Sequence, residues 1–342
     1  MLPRSLIALS IAPSAQAWLV HASKARVLHL FKHACNLVNE NGEVLSIVGS
    51  EIGEGPFNIL LKDLEFSFLN YLNVETPIIT RSNYISLGNI NIDTHHAKTW
   101  SPNLDWNQLH TARNHICLQL LNLDEWLRRQ APTNSTIEYL ETLLEIAGVE
   151  DKSQELRGAS SRPERISTPP AFMERANYPK MESTIQIQNL AESGFILYAA
   201  QAIKDLSYSI VDADIRACRN AVQSLAGLGP GLTPAGDDFI LGAMLAARII
   251  HPPELGSCLT EKIAEAACQL TTSLSGAWLR AAGRGEAGIL WHHFLATLVS
   301  GEWSTLKNFT NKLLSVGYTS GADSLAGFLT PFLLFMSQRT DQ

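Results

Sequence analysis

Between residues 18 and 100 the apolar positions fall in short runs broken by Gly, Pro, Asn and Asp, a pattern of strands and turns. In CNLVNENGEVLSIVG (35–49), Asn41-Gly42 lies between two apolar runs and predicts a hairpin with a two-residue turn, since both residues tolerate positive φ. GPFNILL (55–61), TPIIT (76–80) and YISLGNINI (84–92) read as further strands, with Gly53, Gly55 and Pro56 forming a loop ahead of the first. From Trp106 the period changes. WNQLHTARNHICLQLLNLDEWL carries apolar residues at 106, 109, 116, 117, 120, 121 and 126, close to the 3.6 spacing of a helix.

Ser135-x-x-Glu138 then resembles a capping box ahead of YLETLLEIAG. Residues 152–183 have four prolines and few aliphatic side chains, which predicts a connector or surface excursion. Beyond it the helical period returns, with helices expected near 187–206, 213–226, 238–250, 258–282, 287–299, 304–315 and 323–337. The fold class expected is α+β: a β-rich N-terminal domain (1–105), a helical segment with its connector (106–190), and an all-α C-terminal domain (191–342).

Composition narrows the function classes. The 342 residues are 46% hydrophobic, enough for two domains or one large one. Net charge is −7 with no basic run, which argues against a nucleic-acid partner. Five scattered cysteines without a C-x-x-C pair predict free thiols, neither a disulfide scaffold nor a structural zinc site, and so a cytoplasmic setting. The opening MLPRSLIALSIAPSAQAW has the look of a secretion signal, but Ser10 and Pro13 break its apolar stretch. No membrane span is expected; LAGFLTPFLLFM is too short and contains Pro331, so it reads as a core helix.

The candidate chemistry concentrates in GLGPGLTPAGDDFILG (227–242). Glycines let a ligand approach the backbone, and a glycine-rich turn opening a helix presents N–H donors to an anion. Gly229, Gly231, Thr233 and Gly236 are therefore expected anion-binding positions. Either Asp237 or Asp238 suits a helix N-cap, which leaves the other for chemistry. The stretch lacks the G-K-[ST] ending of a phosphate-binding P-loop. GYTSGADSLAG (317–327) echoes it: Gly321-Ala-Asp323-x-Leu-x-Gly327 repeats Gly236-Asp-Asp238-x-Ile-x-Gly242. Two such elements are expected to bring two helix starts to one pocket, adding Thr319, Ser320, Gly321 and Asp323. Between them TTSLSGAWLRAAGRGEAG supplies Ser275 and an i,i+4 pair, Arg280 and Arg284, suited to a carboxylate or phosphate. No H-E-x-x-H zinc motif or G-x-S-x-G elbow is present, and no cofactor or metal is expected.

The three motifs in this order (G-x-G-P-G-L-T-P-x-G-D-D, T-T-x-x-S-x-x-x-L-R-A-A-x-x-G-E and G-Y-T-S-G-A-D-S-L-x-G) resemble the AllH family. The resemblance covers about residues 213–335, more faintly ACNLVNENGEVLSIV and Gly55-Pro56. It implies a subunit of an oxamate carbamoyltransferase of allantoin catabolism, which interconverts oxalurate plus phosphate with oxamate plus carbamoyl phosphate. It also implies two partners, an FdrA-like subunit and an AllG-type subunit, and small anionic substrates. Under it Asp237, Asp238 and Asp323 become catalytic candidates, and the glycines, hydroxyls and arginines above become substrate-binding ones. Ala235 stands where the family commonly has Ser, so no hydroxyl is required there. Three other readings stay open: a non-catalytic interface subunit of the same complex, a related enzyme acting on another small amide or carboxylate, and a stand-alone enzyme of another class that uses Asp237, Asp238 and Asp323 with a divalent metal.

Overall fold

The structure, a computed structural model, describes residues 4–62, 66–127 and 199–340. The capping box at Ser135, the connector at 152–183 and the first part of the helix expected at 187–206 lie outside the described residues. Strands occupy the chain from residue 4 to 99 and helices from 199 to 340, a mixed α+β fold.

Among the described residues nine strands form one sheet: β1 (Arg4–Ile11), β2 (Ala25–Leu30), β3 (Ala34–Asn39), β4 (Val44–Val48), β5 (Asn58–Leu61), β6 (Ile78–Arg81), β7 (Tyr84–Leu87), β8 (Ile90–Asp93) and β9 (Lys98–Thr99). Their order is β2-β3-β4-β5-β1-β8-β7-β6, with β9 beside β1. The sheet is mixed: β1 is antiparallel to β5 but parallel to β8, and β4 is parallel to β5. The segment with the look of a signal is β1, in the middle of the sheet, followed by helix α1 (Pro13–His21). Trp18 of α1 is buried and donates its indole N–H to the Glu43 carbonyl at 2.9 Å.

Periodicity explains the faces. β7 and β8 alternate, turning Ile85, Leu87, Ile90 and Ile92 into the core. β3 and β4 are buried throughout, so their polar positions must pair: Ser46 donates to Asn36 Oδ1 at 2.7 Å. The hairpin expected at Asn41-Gly42 is present, but its turn is longer than two residues. Only Gly42 takes positive φ (76°), and the Asn39 side chain accepts from Asn41 and Glu43 N–H, holding a wider loop.

The helices are α2 (Trp106–Thr111), α3 (Arg113–Leu127), α4 (199–211), α5 (Ile215–Leu225), α6 (Ala235–Ile250), α7 (Pro253–Ala267), α8 (Ser273–Gly283), α9 (Ile289–Ser300), α10 (Trp303–Leu314) and α11 (Ser320–Thr340). The helix expected at 258–282 is two. Thr272 accepts from Ser275 N–H at 3.1 Å and starts α8 as a fresh N-cap. α11 runs through Pro331 as the core helix expected, burying Leu325, Phe328, Leu329 and Phe332.

α6 and α11 form the most extensively packed helix pair, crossing at glycines. A Cβ at Gly242 would lie 1.7 Å from the Ser324 carbonyl, and one at Gly327 would lie 2.0 Å from that of Phe239. The contacts are reciprocal, and the matching extends further. Leu228 N–H donates to Leu225 O and Gly236 N–H to Leu228 O; Val316 N–H donates to Leu313 O and Gly321 N–H to Val316 O. A Cβ at Gly236 would strike the Leu225 carbonyl, and one at Gly321 the Leu313 carbonyl. Helix–turn–helix α5–α6 is thus repeated as α10–α11, and the first turn is the longer.

Sheet and helices meet through a small apolar cluster. Val44 and Phe57 pack on Leu274 and Ala277, and the Phe57 ring meets Trp278 edge-on with centroids 4.9 Å apart. The turn before β5 is also hydrogen-bonded to the helices, because Ile289 N–H donates to the Glu54 carbonyl at 3.0 Å.

Candidate functional site

The two glycine-rich turns meet. Thr233, in the turn before α6, hydrogen-bonds Ser320, at the start of α11, oxygen to oxygen at 2.8 Å. Beside this contact lies a cavity of about 270 Å³. The helical side of its wall comes from Thr233, Asp238 and Leu241, from Ser320, Gly321 and Ser324, and from Leu313, Val316 and Gly317. Trp278 and the segment Glu286–Trp291 form a further side, and the sheet supplies Ile52, Glu54 and Asn58.

The two adjacent aspartates have different surroundings. α6 begins at Ala235, with Pro234 as the N-cap residue, so both sit within the first turn and neither caps the helix. Asp237, 2% exposed, accepts from Gly227 N–H at 2.9 Å and from the Thr271 hydroxyl. It ties the first glycine turn to the segment leading into α8, while the Thr272 hydroxyl donates to the Leu232 carbonyl at 2.6 Å. Burial raises the Asp237 pKa, opposed by Thr271, Gly227 and Ser275. Asp238 instead lines the cavity, and its Oδ2 is buried without a hydrogen-bond partner. Burial pushes its pKa well above the ordinary carboxylate value; the Ser320 hydroxyl opposes this, the Asp323 and Asp237 charges add to it, and Thr233 opposes it. Asp323 is 1% exposed and lies in the first turn of α11.

The expected anion-binding residues are not all brought together. Thr233, Ser320 and Gly321 line the cavity; Gly229, Gly231, Gly236, Ser275, Arg280 and Thr319 do not. Gly229 and Gly231 take φ of 114° and 100°, so they serve the turn itself. The N–H groups of Gly236, Asp237, Asp238, Gly321 and Asp323 all donate to nearby carbonyls, so of the glycines expected to face an anion, Gly236 and Gly321 have theirs engaged within the turns. Arg280 folds over Gly276 of its own helix. Arg284 is bound to Glu286, Nε to Oε1 at 3.0 Å and Nη2 to Oε2 at 2.6 Å, so it is held outside the wall and Glu286 within it.

The described lining residues include no Lys or Arg, and three carboxylates: Glu54, Asp238 and Glu286. Most of the cavity surface is apolar, and with no cation among its described lining residues it does not suit a bare phosphate. Asn58 adds an amide; its Nδ2 donates to the Gly53 carbonyl at 3.1 Å, and its buried Oδ1 has no partner. Glu54 and Asn58 were missed by sequence reasoning, although the Gly53–Pro56 loop beside them was singled out; Glu286 stood unremarked at the end of the second motif. Among the described residues no three of His, Cys, Asp or Glu form a group that could hold a metal ion, and no helix is long and apolar enough to cross a membrane.

A mixed sheet joined to a duplicated helix pair, with a largely apolar cavity between them, defines an α+β protein. Residues 225–332 match the family described as oxamate carbamoyltransferase subunit AllH, and residues 7–99 match the AllH family N-terminal domain. The chain belongs to the AllH family. The two matches take in every residue named above as lining the cavity. No solved structure matches the chain.

Proposed function

We propose that this chain is the subunit of a cytoplasmic oxamate carbamoyltransferase that holds the carbamoyl substrate, and that Asp238 is its catalytic residue. The reaction is the exchange of oxalurate and phosphate with oxamate and carbamoyl phosphate. The observation that carries this reading is the Thr233–Ser320 contact, which closes two distant turns beside Asp238 on the wall of a small cavity. About 270 Å³ suits a molecule of this size.

The lining favours the amide end of the substrate. A carbamoyl or ureido group offers several N–H donors, and Asp238, Glu54 and Glu286 offer acceptors. The Thr233 and Ser320 hydroxyls bond each other and Asp238, which leaves at most one O–H for charge developing on the carbamoyl oxygen; such a donor contributes about 3 kcal/mol in comparable sites. Phosphate needs cations that this wall does not offer, so its charge is met by a partner subunit, the FdrA-like or the AllG-type one. Tyr318, 82% exposed next to Gly317 of the cavity wall, is placed to meet that partner. The same exposure is what a purely structural interface subunit would show.

The test is phosphate-dependent oxalurate cleavage by the reconstituted complex. Asp238→Asn is expected to lower kcat at least ~10-fold with an unchanged assembly profile on gel filtration, in line with loss of a proton-transfer group. Unaltered turnover would assign the chain to the structural role.

A further inference from the structure

The repeat places Asp238 and Asp323 at matching positions, each two residues after the first glycine of its Gly-x-Asp motif. The residues that follow them, Phe239 and Ser324, are those whose carbonyls the crossing glycines of the opposite helix approach. The two carboxyl-bearing turns are therefore held against each other at the pseudo-two-fold crossing. Asp238 has a buried oxygen with no hydrogen-bond partner and also borders the cavity. We propose that Asp238 and Asp323 hold a single proton between them, and that Asp238 passes it to the leaving nitrogen of the carbamoyl substrate.

Electrostatics favours one shared proton. Asp237 stands next in sequence, already engaged with Gly227 and Thr271. Glu54 and Glu286 face the cavity from the other sides, and Arg284 is spent on Glu286. Among the described residues, the groups that oppose burial at Asp238 are the hydroxyls of Ser320 and Thr233, which also bond each other. Two full charges in such a place repel strongly, and a proton between them removes one. The raised Asp238 pKa, due first to burial and increased by Asp323, agrees with this.

The delivery step rests on the function proposed above; the shared proton does not. In that step a phosphate oxygen bonds to the carbamoyl carbon, and the bond from that carbon to the oxamyl nitrogen breaks. The electron pair goes to the nitrogen, which takes the proton from Asp238. The proton of monohydrogen phosphate passes to the carboxylate pair and restores it, so charge and protons balance. Asp238 is the catalytic residue, because it borders the cavity; Asp323 acts through it as a positioning residue that sets its proton affinity.

The test begins with the unsubstituted full chain carrying aspartate ¹³C-labelled at the side-chain carboxyl. Its NMR titration should show a carboxyl that keeps its proton to a pH well above the ordinary carboxylate range, a resonance assigned by its absence from Asp238→Asn. The isosteric Asp323→Asn should lower that midpoint by about one pH unit, a ~10-fold loss in proton affinity. In the complex, the pH at which kcat declines toward alkaline pH should move down with it. An Asp238 that titrates in the ordinary carboxylate range, or a midpoint that Asp323→Asn leaves in place, would overturn the pair. A midpoint that moves while the kcat profile stays fixed would uphold the shared proton and overturn its delivery to substrate.

Discussion

Asp237 and Asp238 are chemically identical neighbours separated by roughly 100° of rotation about one helix. Asp237 meets an N–H and a hydroxyl and becomes a fastener; Asp238 borders a cavity, and the charge of Asp323 adds to its raised pKa. The sequence shows that two acids stand there, but not which is which. That depends on α6 starting three residues before the expected position 238, which moves both out of the capping position. A buried acid with a raised pKa has a definite stability signature. The folded state holds the proton more tightly than the unfolded chain, so stability falls as pH rises from the ordinary carboxylate range toward the raised value. Asp238→Asn should match the parent in acid, exceed its melting temperature at mildly alkaline pH, and lose part of its pH slope; Asp237 keeps a share of that slope. Thermal melts across pH check this, and an unchanged slope would trace the loss to other groups. The gain in stability at the expected loss of turnover is the trade-off of a functional acid.

Among the elements, strands and helices were legible wherever one period dominated, as in the alternation of β7 and β8 or the apolar stripe of α3. The α7–α8 break was not, because apolar residues continue across it and only the cap at Thr272 marks the restart. The echo between the two Gly-x-Asp motifs was legible too, because each lies within one short stretch. What it meant physically, a reciprocal crossing of α6 and α11, needed the tertiary contacts. Gly242→Ala and Gly327→Ala should each cost about 2 kcal/mol or more, since the added methyl falls on backbone that cannot swing aside. Chemical denaturation measures this. A Gly42→Ala variant, at a glycine with open space around it, serves as the comparison; its cost arises only from the positive φ.

On the scale of the whole molecule, the cavity belongs to neither half. Glu54 and Asn58 come from the sheet, Asp238 and Ser320 from the helix pair, and no local pattern could have joined them. Their juxtaposition depends on the Phe57–Trp278 contact and the Ile289–Glu54 hydrogen bond. Phe57→Ala should therefore lower unfolding free energy by about 3 kcal/mol and raise the KM for oxalurate several-fold. Denaturant melts and initial-rate kinetics would read the two effects; a loss of stability with an unmoved KM would mean that the sheet wall does not touch substrate. The unequal lengths of the two turns have a consequence of another kind. A duplicated unit whose halves were equal would open two mouths, one to each acid. Lengthening one connection lets Thr233 reach across to Ser320, and only one acid borders the void while its twin stays sealed. A lineage that shortened the 227–234 segment, or extended the one before Ser320, would redraw that asymmetry and exchange or erase the acting partner.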